Sequence, residues 1–270
     1  MSIQLGMIGG GVMGEALLSR LINQQLYHPD QILVSDPASA RCAALAEQYG
    51  VQVTSDNQAA AAAADVLLLA IKPQVFEVVA ANIAVDESSE APLPVVISIL
   101  AGVSLGKLQA AFGRQPVIRA MPNTPATVGA GMTALAAGQG VTLQQMAQAR
   151  AIFEAVGEVV EVPESLMDAV TGLSGSGPAY VAMMIEALAD GGVAAGLPRA
   201  IASQLALSTV LGTAQLLQKS ELHPAVLKDR VTSPGGTTIA GVAQLERGGF
   251  RSALIEAVQA AARRSQELGK

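Results

Sequence analysis

The sequence predicts an α/β, doubly wound sheet followed by an all-α domain, and three observations predict it. A glycine-rich turn lies between a strand and a helix at the N-terminus. Short apolar strands then alternate with helices as far as residue 162. From residue 163 onward no strand pattern recurs, and two long helices almost without charge dominate. The expected domains are therefore 1–162 and 163–270.

Residues 3–8 read as a short apolar strand. Gly9, Gly11 and Gly14 follow as G-x-G-x-x-G, with Gly10, Val12 and Met13 between them, and an apolar-periodic helix over 14–25 comes next. The first glycine permits the tight turn, the second lets backbone approach a pyrophosphate, and the third lets helix and strand pack closely. The helix N-terminus turns free N–H groups and a positive dipole end toward that anion. The first domain thus reads as a Rossmann-type dinucleotide-binding domain.

Residues 31–35 form the second strand, and Asp36 stands at its end, 22 residues past Gly14. An acid there either binds a ribose 2′-OH, disfavouring a 2′-phosphate, or the stretch simply caps the next helix, through Ser39 or Asp36 itself. Both readings stay open, and Arg41 is placed to meet a phosphate. A helix over 38–49, a strand over 51–53 and an alanine-rich helix capped by Asp56 or Asn57 follow. Residues 65–71 read as a strand, fully apolar from Val66 to Ile71 and bounded by charge and proline, the pattern of a buried parallel strand. The run ends in Lys72-Pro73, which puts a cation at a strand's carboxyl end, where open α/β sheets bind ligands. A helix over 74–83, a polar loop over 86–90, strands over 94–99, 117–121, 131–136 and 159–162, and a helix over 142–156 complete the domain.

Beyond residue 163, Pro178 suits the first position of a helix capped near Ser176 or Gly177 and running to Gly196; Pro198 opens another that reaches Gln218. Between Thr171 and Gln218 the only charged residues are Glu186, Asp190 and Arg199. Helices this apolar need a partner on every side. The breaks at Gly191-Gly192 and Gly196-Leu197-Pro198 and the lack of flanking basic residues argue against membrane insertion. Burial between subunits is expected, which makes the second domain one of dimerisation. A short helix from Pro224, the turn 232–238, a further helix and a final helix over 250–266 end the chain. In the turn, glycines and hydroxyls precede a helix N-terminus; the pattern suits either a carboxylate site or an ordinary capped turn.

The totals agree with a small-molecule enzyme or sensor. Of 270 residues, 51% are hydrophobic and only 3% aromatic, so the core must be built from aliphatic side chains. A net charge of −6 without basic blocks speaks against nucleic acid or a membrane surface as partner. Cys42 is the only cysteine, which suits a reducing cytoplasm. No basic and apolar leader precedes the first strand, so no signal peptide is expected. His28 and His223 each precede a proline and lack a partner at metal-ligand spacing, so no metal site is expected.

Three stretches together resemble the pyrroline-5-carboxylate reductases: Arg119-Ala120-Met121-Pro122-Asn123-Thr124-Pro125, residues 169–180 (AVTGLSGSGPAY), and residues 227–238 (LKDRVTSPGGTT). The resemblance implies reduction of the cyclic imine Δ1-pyrroline-5-carboxylate to L-proline, the last step of proline biosynthesis, with NADPH as the usual cofactor. It implies an interlocked helical domain, homodimers and their assembly into a decamer. Cofactor contacts implied are Gly9, Gly10, Gly11, Val12, Met13, Gly14, Ser35, Asp36, Asn57, Ala70, Ile71, Lys72, Pro73, Ile99, Leu100 and Ala101. Substrate contacts implied are Ser233, Gly235, Gly236, Thr237 and Thr238, with Glu164 nearby. Asp36 follows Ser35 where many NADPH-preferring members carry no acid, so NADH stays open as an alternative. Thr238 is the candidate catalytic residue, its hydroxyl bonding the ring nitrogen and relaying a proton. An imine with a pKa near neutral needs no strong acid. Between Thr171 and Gln218 there is no lysine, unlike the β-hydroxyacid dehydrogenases of similar architecture. A nucleotide sensor without catalysis is the alternative of another class.

Overall fold

The computed structural model describes residues 2–63, 65–83 and 93–269. The polar stretch expected as a loop over 86–90 lies outside them. The chain makes two compact units, Met1–Ser176 with Ala260–Lys270, and Gly177–Gln259.

In the first unit, β1 (Leu5–Ile8) runs into the glycine turn and α1 (Val12–Asn23) leaves it. Then come β2 (Ile32–Ser35), α2 (Ser39–Tyr49), β3 (Gln52–Thr54), α3 (Asn57–Ala61), β4 (Val66–Leu69), α4 (Phe76–Ala81) and β5 (Val95–Ser98). They continue with α5 (Leu105–Phe112), β6 (Val117–Met121), β7 (Gly131–Ala137), α6 (Leu143–Glu154) and β8 (Gly157–Glu161). One eight-stranded sheet results, in the order β3-β2-β1-β4-β5-β6-β7-β8. Its first six strands are parallel, β7 is antiparallel to β6, and β8 is parallel to β7. The order reverses between β1 and β4, which opens the crevice expected of a doubly wound sheet.

Strand periodicity divides the core between the two faces. In β4, Val66 and Leu68 join one buried cluster, with Leu17, Leu21 and Phe153. Leu67 and Leu69 join the other, with Leu105, Leu108 and Phe112. Helices cover both faces, so β4 has no polar side and reads as an unbroken apolar run. Gly6 leaves β1 open to α3, because a Cβ there would collide with the Ala60 carbonyl.

Two elements differ from expectation. The sequence reading leaves α5 out, although Ser104 caps it by accepting the Lys107 N–H at 3.3 Å and Leu105, Leu108 and Phe112 mark its buried stripe. The second is the stretch before Pro178, expected to hold an N-cap. It is helical instead: α7 (Met167–Val170) passes into a π turn over Thr171–Gly175, with the Ser176 N–H bonded to the Thr171 carbonyl at 2.9 Å. Pro178 is therefore the second residue of α8 (Gly177–Ala194), and no capped helix start exists there.

The second unit holds α8, α9 (Arg199–Ser220), α10 (Pro224–Arg230), α11 (Thr237–Arg247) and the start of α12 (Phe250–Leu268), whose last turns belong to the first unit. The seam between α8 and α9 is lined by small residues: Ala189, Ala202 and Ala206 are buried, and Gly192 lies against Ala202. Large apolar side chains on these helices stand exposed in the single chain, Met183 at 69% and Leu211 at 56%. By length and composition α9 is the one described helix able to cross a membrane, with a mean hydropathy of 1.4.

Candidate active site

Four segments meet along one edge of the sheet. The register pairs Ile8 with Ser35 and with Leu69, and Leu69 with Ser98, so the residues just beyond them form a row at the carboxyl ends of the strands. That row contains Gly9–Gly14, Ser35-Asp36, Ala70–Pro73 and Ile99–Ala101. All four were expected as cofactor contacts, and the fold brings them together.

The glycine turn needs its glycines for separate reasons. Gly9 has φ +101°, and a Cβ there would stand 2.6 Å from the Ala70 carbonyl oxygen. A Cβ on Gly14 would stand 2.5 Å from the Gly9 carbonyl oxygen. Gly11, by contrast, has nothing within 4 Å of where its Cβ would be. It precedes α1 without a side-chain cap, so the first N–H groups of the helix open onto that empty space. Backbone closed behind and open in front is a cradle that fits a pyrophosphate.

Around the cradle, the Ser35 hydroxyl donates to Asn57 Oδ1 at 2.7 Å, joining two expected contacts directly. Asp56, not Asn57, caps α3, accepting the Gln58 N–H at 2.9 Å. Lys72 is exposed at the end of β4, with no carboxylate partner among the described residues. The Arg41 guanidinium pairs with Glu15 and its Nε donates to the Gly10 carbonyl. Nothing in the spacing of Glu15, Arg41 and Tyr49 announces this cluster, because it is made across α1 and α2.

The Arg41 guanidinium beside Glu15 holds its carboxyl below the ordinary value, with partial burial pulling the other way. A depressed carboxyl stabilises the fold above the unfolded-state value and loses that contribution as pH falls through the folded one. Both side chains are about a third exposed, so the contribution is below about 1 kcal/mol. Unfolding by denaturant is expected to show Arg41→Ala less stable than the native chain near neutrality. The gap should narrow as pH falls below about 4, the bond from Arg41 to the Gly10 carbonyl remaining; a gap independent of pH would contradict the pairing.

The remaining motifs meet in the first unit too. Asn123, at the end of β6, donates to the Ser174 carbonyl and hydroxyl, each at 3.3 Å, and accepts the Met132 N–H at 2.9 Å. A Cβ on Gly175 would stand 2.6 Å from the end of the Met121 side chain. Ser174 therefore serves the packing of the π turn against β6. Glu164 Oε1 accepts the Leu105 N–H at the start of α5 and faces Arg119, itself buried, at 3.4 Å. Oε2 is engaged by no described residue.

In the second unit, the turn before α11 closes with the Gly236 N–H on the Ser233 carbonyl at 3.1 Å and Gly235 at φ +66°. A Cβ on Gly236 would collide with the Ser233 hydroxyl. Gly236 precedes α11 with no side-chain cap, so the N–H groups of Thr237 and Thr238 open outward with the dipole behind them. Thr238 is partly buried, and no described residue bonds its hydroxyl. The two histidines lie elsewhere: His28 meets Asp30 at 2.7 Å, and His223 caps α10, accepting the Ala225 N–H at 3.2 Å.

Two family models match different parts of the chain. A family model described as pyrroline-5-carboxylate reductase dimerisation matches residues 164–268, so self-association is a property of this part of the chain. One described as NADP oxidoreductase, coenzyme F420-dependent, matches residues 4–102. A pyrroline-5-carboxylate reductase of Synechocystis sp. is 66% identical over all of both chains. Among solved structures, a pyrroline-5-carboxylate reductase of Coxiella burnetii is 37% identical with a TM-score of 0.91, covering all of both chains. A Plasmodium falciparum pyrroline carboxylate reductase, with NADP bound, is 32% identical with a TM-score of 0.88, covering 99% of this chain and 98% of that one. A doubly wound sheet with a glycine cradle, a helical unit of unpartnered apolar faces and likeness along the whole length lead to one conclusion: the chain belongs to the pyrroline-5-carboxylate reductase family.

Proposed function

We propose that the chain reduces Δ1-pyrroline-5-carboxylate to L-proline, the last step of proline biosynthesis, with NADP(H) held at the cradle. The observation that carries the chemistry is the second anion site. The open N-terminus of α11, beside Ser233 and the two threonine hydroxyls, suits a small carboxylate. A sensor that only bound a dinucleotide would need the cradle alone.

The division of labour follows the expected domains. Residues 1–162 hold the cofactor, with Gly9–Gly14 at the pyrophosphate, Ser35, Asp36 and Asn57 at the second turn, and Ala70–Pro73 and Ile99–Ala101 along the crevice. Lys72 supplies a free cation to phosphate. Bound NADPH supplies a hydride from C4 of its nicotinamide to the imine carbon. Residues 163–270 bind substrate and dimerise. The N–H groups of Thr237 and Thr238, with Ser233, Gly235 and Gly236 shaping the turn, hold the carboxylate. Glu164 is a further substrate contact in this reading, through Oε2, Oε1 being taken by Leu105 and Arg119. The Thr238 hydroxyl donates to the ring nitrogen and passes on a proton resupplied by water. Orientation of the imine, more than acid strength, is the protein's contribution.

The exposed apolar faces of α8 and α9 are covered by a second copy, and the dimers assemble into a decamer; sedimentation of the purified chain tests both. A single cysteine and no disulfide suit a cytoplasmic enzyme. Turnover with NADPH carrying deuterium at both C4 positions tests the reaction itself. The expected product is L-proline labelled at the ring carbon next to nitrogen, opposite the carboxylate-bearing carbon. Unlabelled proline, or none, would refute direct hydride transfer.

A further inference from the structure

Asp36 stands where a dinucleotide-binding fold often carries an acid that reads the ribose. In this chain both of its oxygens are already taken. Oδ2 accepts the N–H of Gly10 at 2.9 Å, and Oδ1 accepts the N–H of Ala38 at 2.9 Å. Gly10 lies inside the glycine cradle, between the residue that makes the turn and the residue that opens toward the pyrophosphate. Its carbonyl is held as well, by Arg41 Nε, and Arg41 is braced in turn by Glu15, which also accepts the Tyr49 hydroxyl at 3.0 Å. A Cβ on Gly10 would stand 2.7 Å from Leu45 Cδ1, so α2 closes over this residue. Both backbone polar groups of Gly10 are thus gripped by side chains from the next βα turn.

We infer that Asp36 is a latch on the phosphate-binding loop, a positioning residue that acts through Gly10 and does not choose between NADPH and NADH. A ribose-reading acid turns a carboxylate toward the 2′ position, where it bonds a hydroxyl and repels a phosphate. Here the carboxylate points back to its own chain and is satisfied by two N–H donors, with the Arg41 guanidinium on the other side of Gly10. Held by the loop on both oxygens, the carboxylate is not offered to a 2′ substituent. The latch holds the cradle for the part common to both cofactors, the pyrophosphate.

The inference rests on the reading of this site as the NADP(H) site and deepens it. Direct binding separates the two. Dissociation constants of NADPH and NADH are measured calorimetrically for the intact chain, Asp36→Ala and Asp36→Asn. Binding of NADPH by the intact chain tests the site; the ratio of the two constants in the variants tests the latch. Asp36→Ala is expected to weaken both cofactors about tenfold, with their ratio kept within about twofold. Asp36→Asn should recover part of the loss, because its amide oxygen still accepts one N–H. If Asp36→Ala does not fold, the ratio in Asp36→Asn carries the same test. A selective loss of NADH binding, moving the ratio about tenfold toward NADPH, would make Asp36 a ribose reader and overturn the latch. Unchanged binding of both cofactors in Asp36→Ala would overturn it equally.

Discussion

Replacing Thr238 by alanine is expected to lower kcat/KM for Δ1-pyrroline-5-carboxylate by roughly 10- to 100-fold while NADPH binding stays as in the intact chain. One hydrogen bond to the reacting nitrogen is worth about 1–3 kcal/mol, which converts to that range of rate. Thr238 is the second residue of α11, partly buried, and its hydroxyl is bonded to no described residue. Removing the hydroxyl therefore costs the helix little and the reaction much. Thr238→Ser keeps the donor and should keep most of the activity. Steady-state kinetics against substrate, with cofactor binding measured separately, decide the matter. A loss below about threefold for Thr238→Ala would remove Thr238 from the chemistry, because it corresponds to well under 1 kcal/mol.

A second large effect is expected within the glycine cradle, where two substitutions should behave oppositely in stability. Gly14→Val places a side chain against the Gly9 carbonyl oxygen, 2.5 Å from where a Cβ would stand. The obstacle is backbone, which cannot swing aside, so overpacking should destabilise the fold by about 1–3 kcal/mol and displace the turn. NADPH affinity should fall by roughly 100-fold or more, about 2.7 kcal/mol of binding. Gly11→Ala meets nothing within 4 Å, and Gly11 has φ −68°, which alanine adopts freely. Its thermal stability should hold or rise, since the unfolded chain loses freedom. Its NADPH affinity should nevertheless fall about tenfold, because the new methyl enters the space in front of the helix N-terminus. Loss of stability without loss of binding in Gly11→Ala would mean that this space does not belong to the cofactor.

Much of the first unit is legible in the sequence because its strands are short, apolar and punctuated. The run over 66–69 can only be a strand buried on both faces, and the glycine spacing places the cradle to the residue. α5 escapes that reading because it is short and its stripe of Leu105, Leu108 and Phe112 lies in an otherwise small and polar stretch. The π turn at Thr171–Gly175 escapes for a different reason: glycines and serines there look like a loop or a cap. Their packing against Met121 and the bonds from Asn123 help hold them helical, and both partners are remote in sequence. The glycine-rich motif over 172–177 and the Met121-Pro122-Asn123 motif lie about fifty residues apart, and no local rule joins them.

The sites divide along the same line. Positions on strand ends and helix starts, such as Ser35, Lys72 and Thr238, follow from element boundaries. What a side chain does there depends on partners that come from elsewhere in the chain. Asp36 is equally a ribose reader or a cap in sequence; in space it accepts the N–H of Gly10, a partner 26 residues away that no local pattern announces. Glu164 is similar: one of its oxygens is committed to the start of α5 and to Arg119, neither of which is near it in sequence.

The most direct test of the account is the initial rate of nicotinamide absorbance loss when the purified chain meets Δ1-pyrroline-5-carboxylate with NADPH, and in parallel with NADH. The account predicts substrate-dependent oxidation of NADPH that yields L-proline. Folded, oligomeric protein that binds NADPH yet oxidises neither cofactor in the presence of the cyclic imine would contradict it.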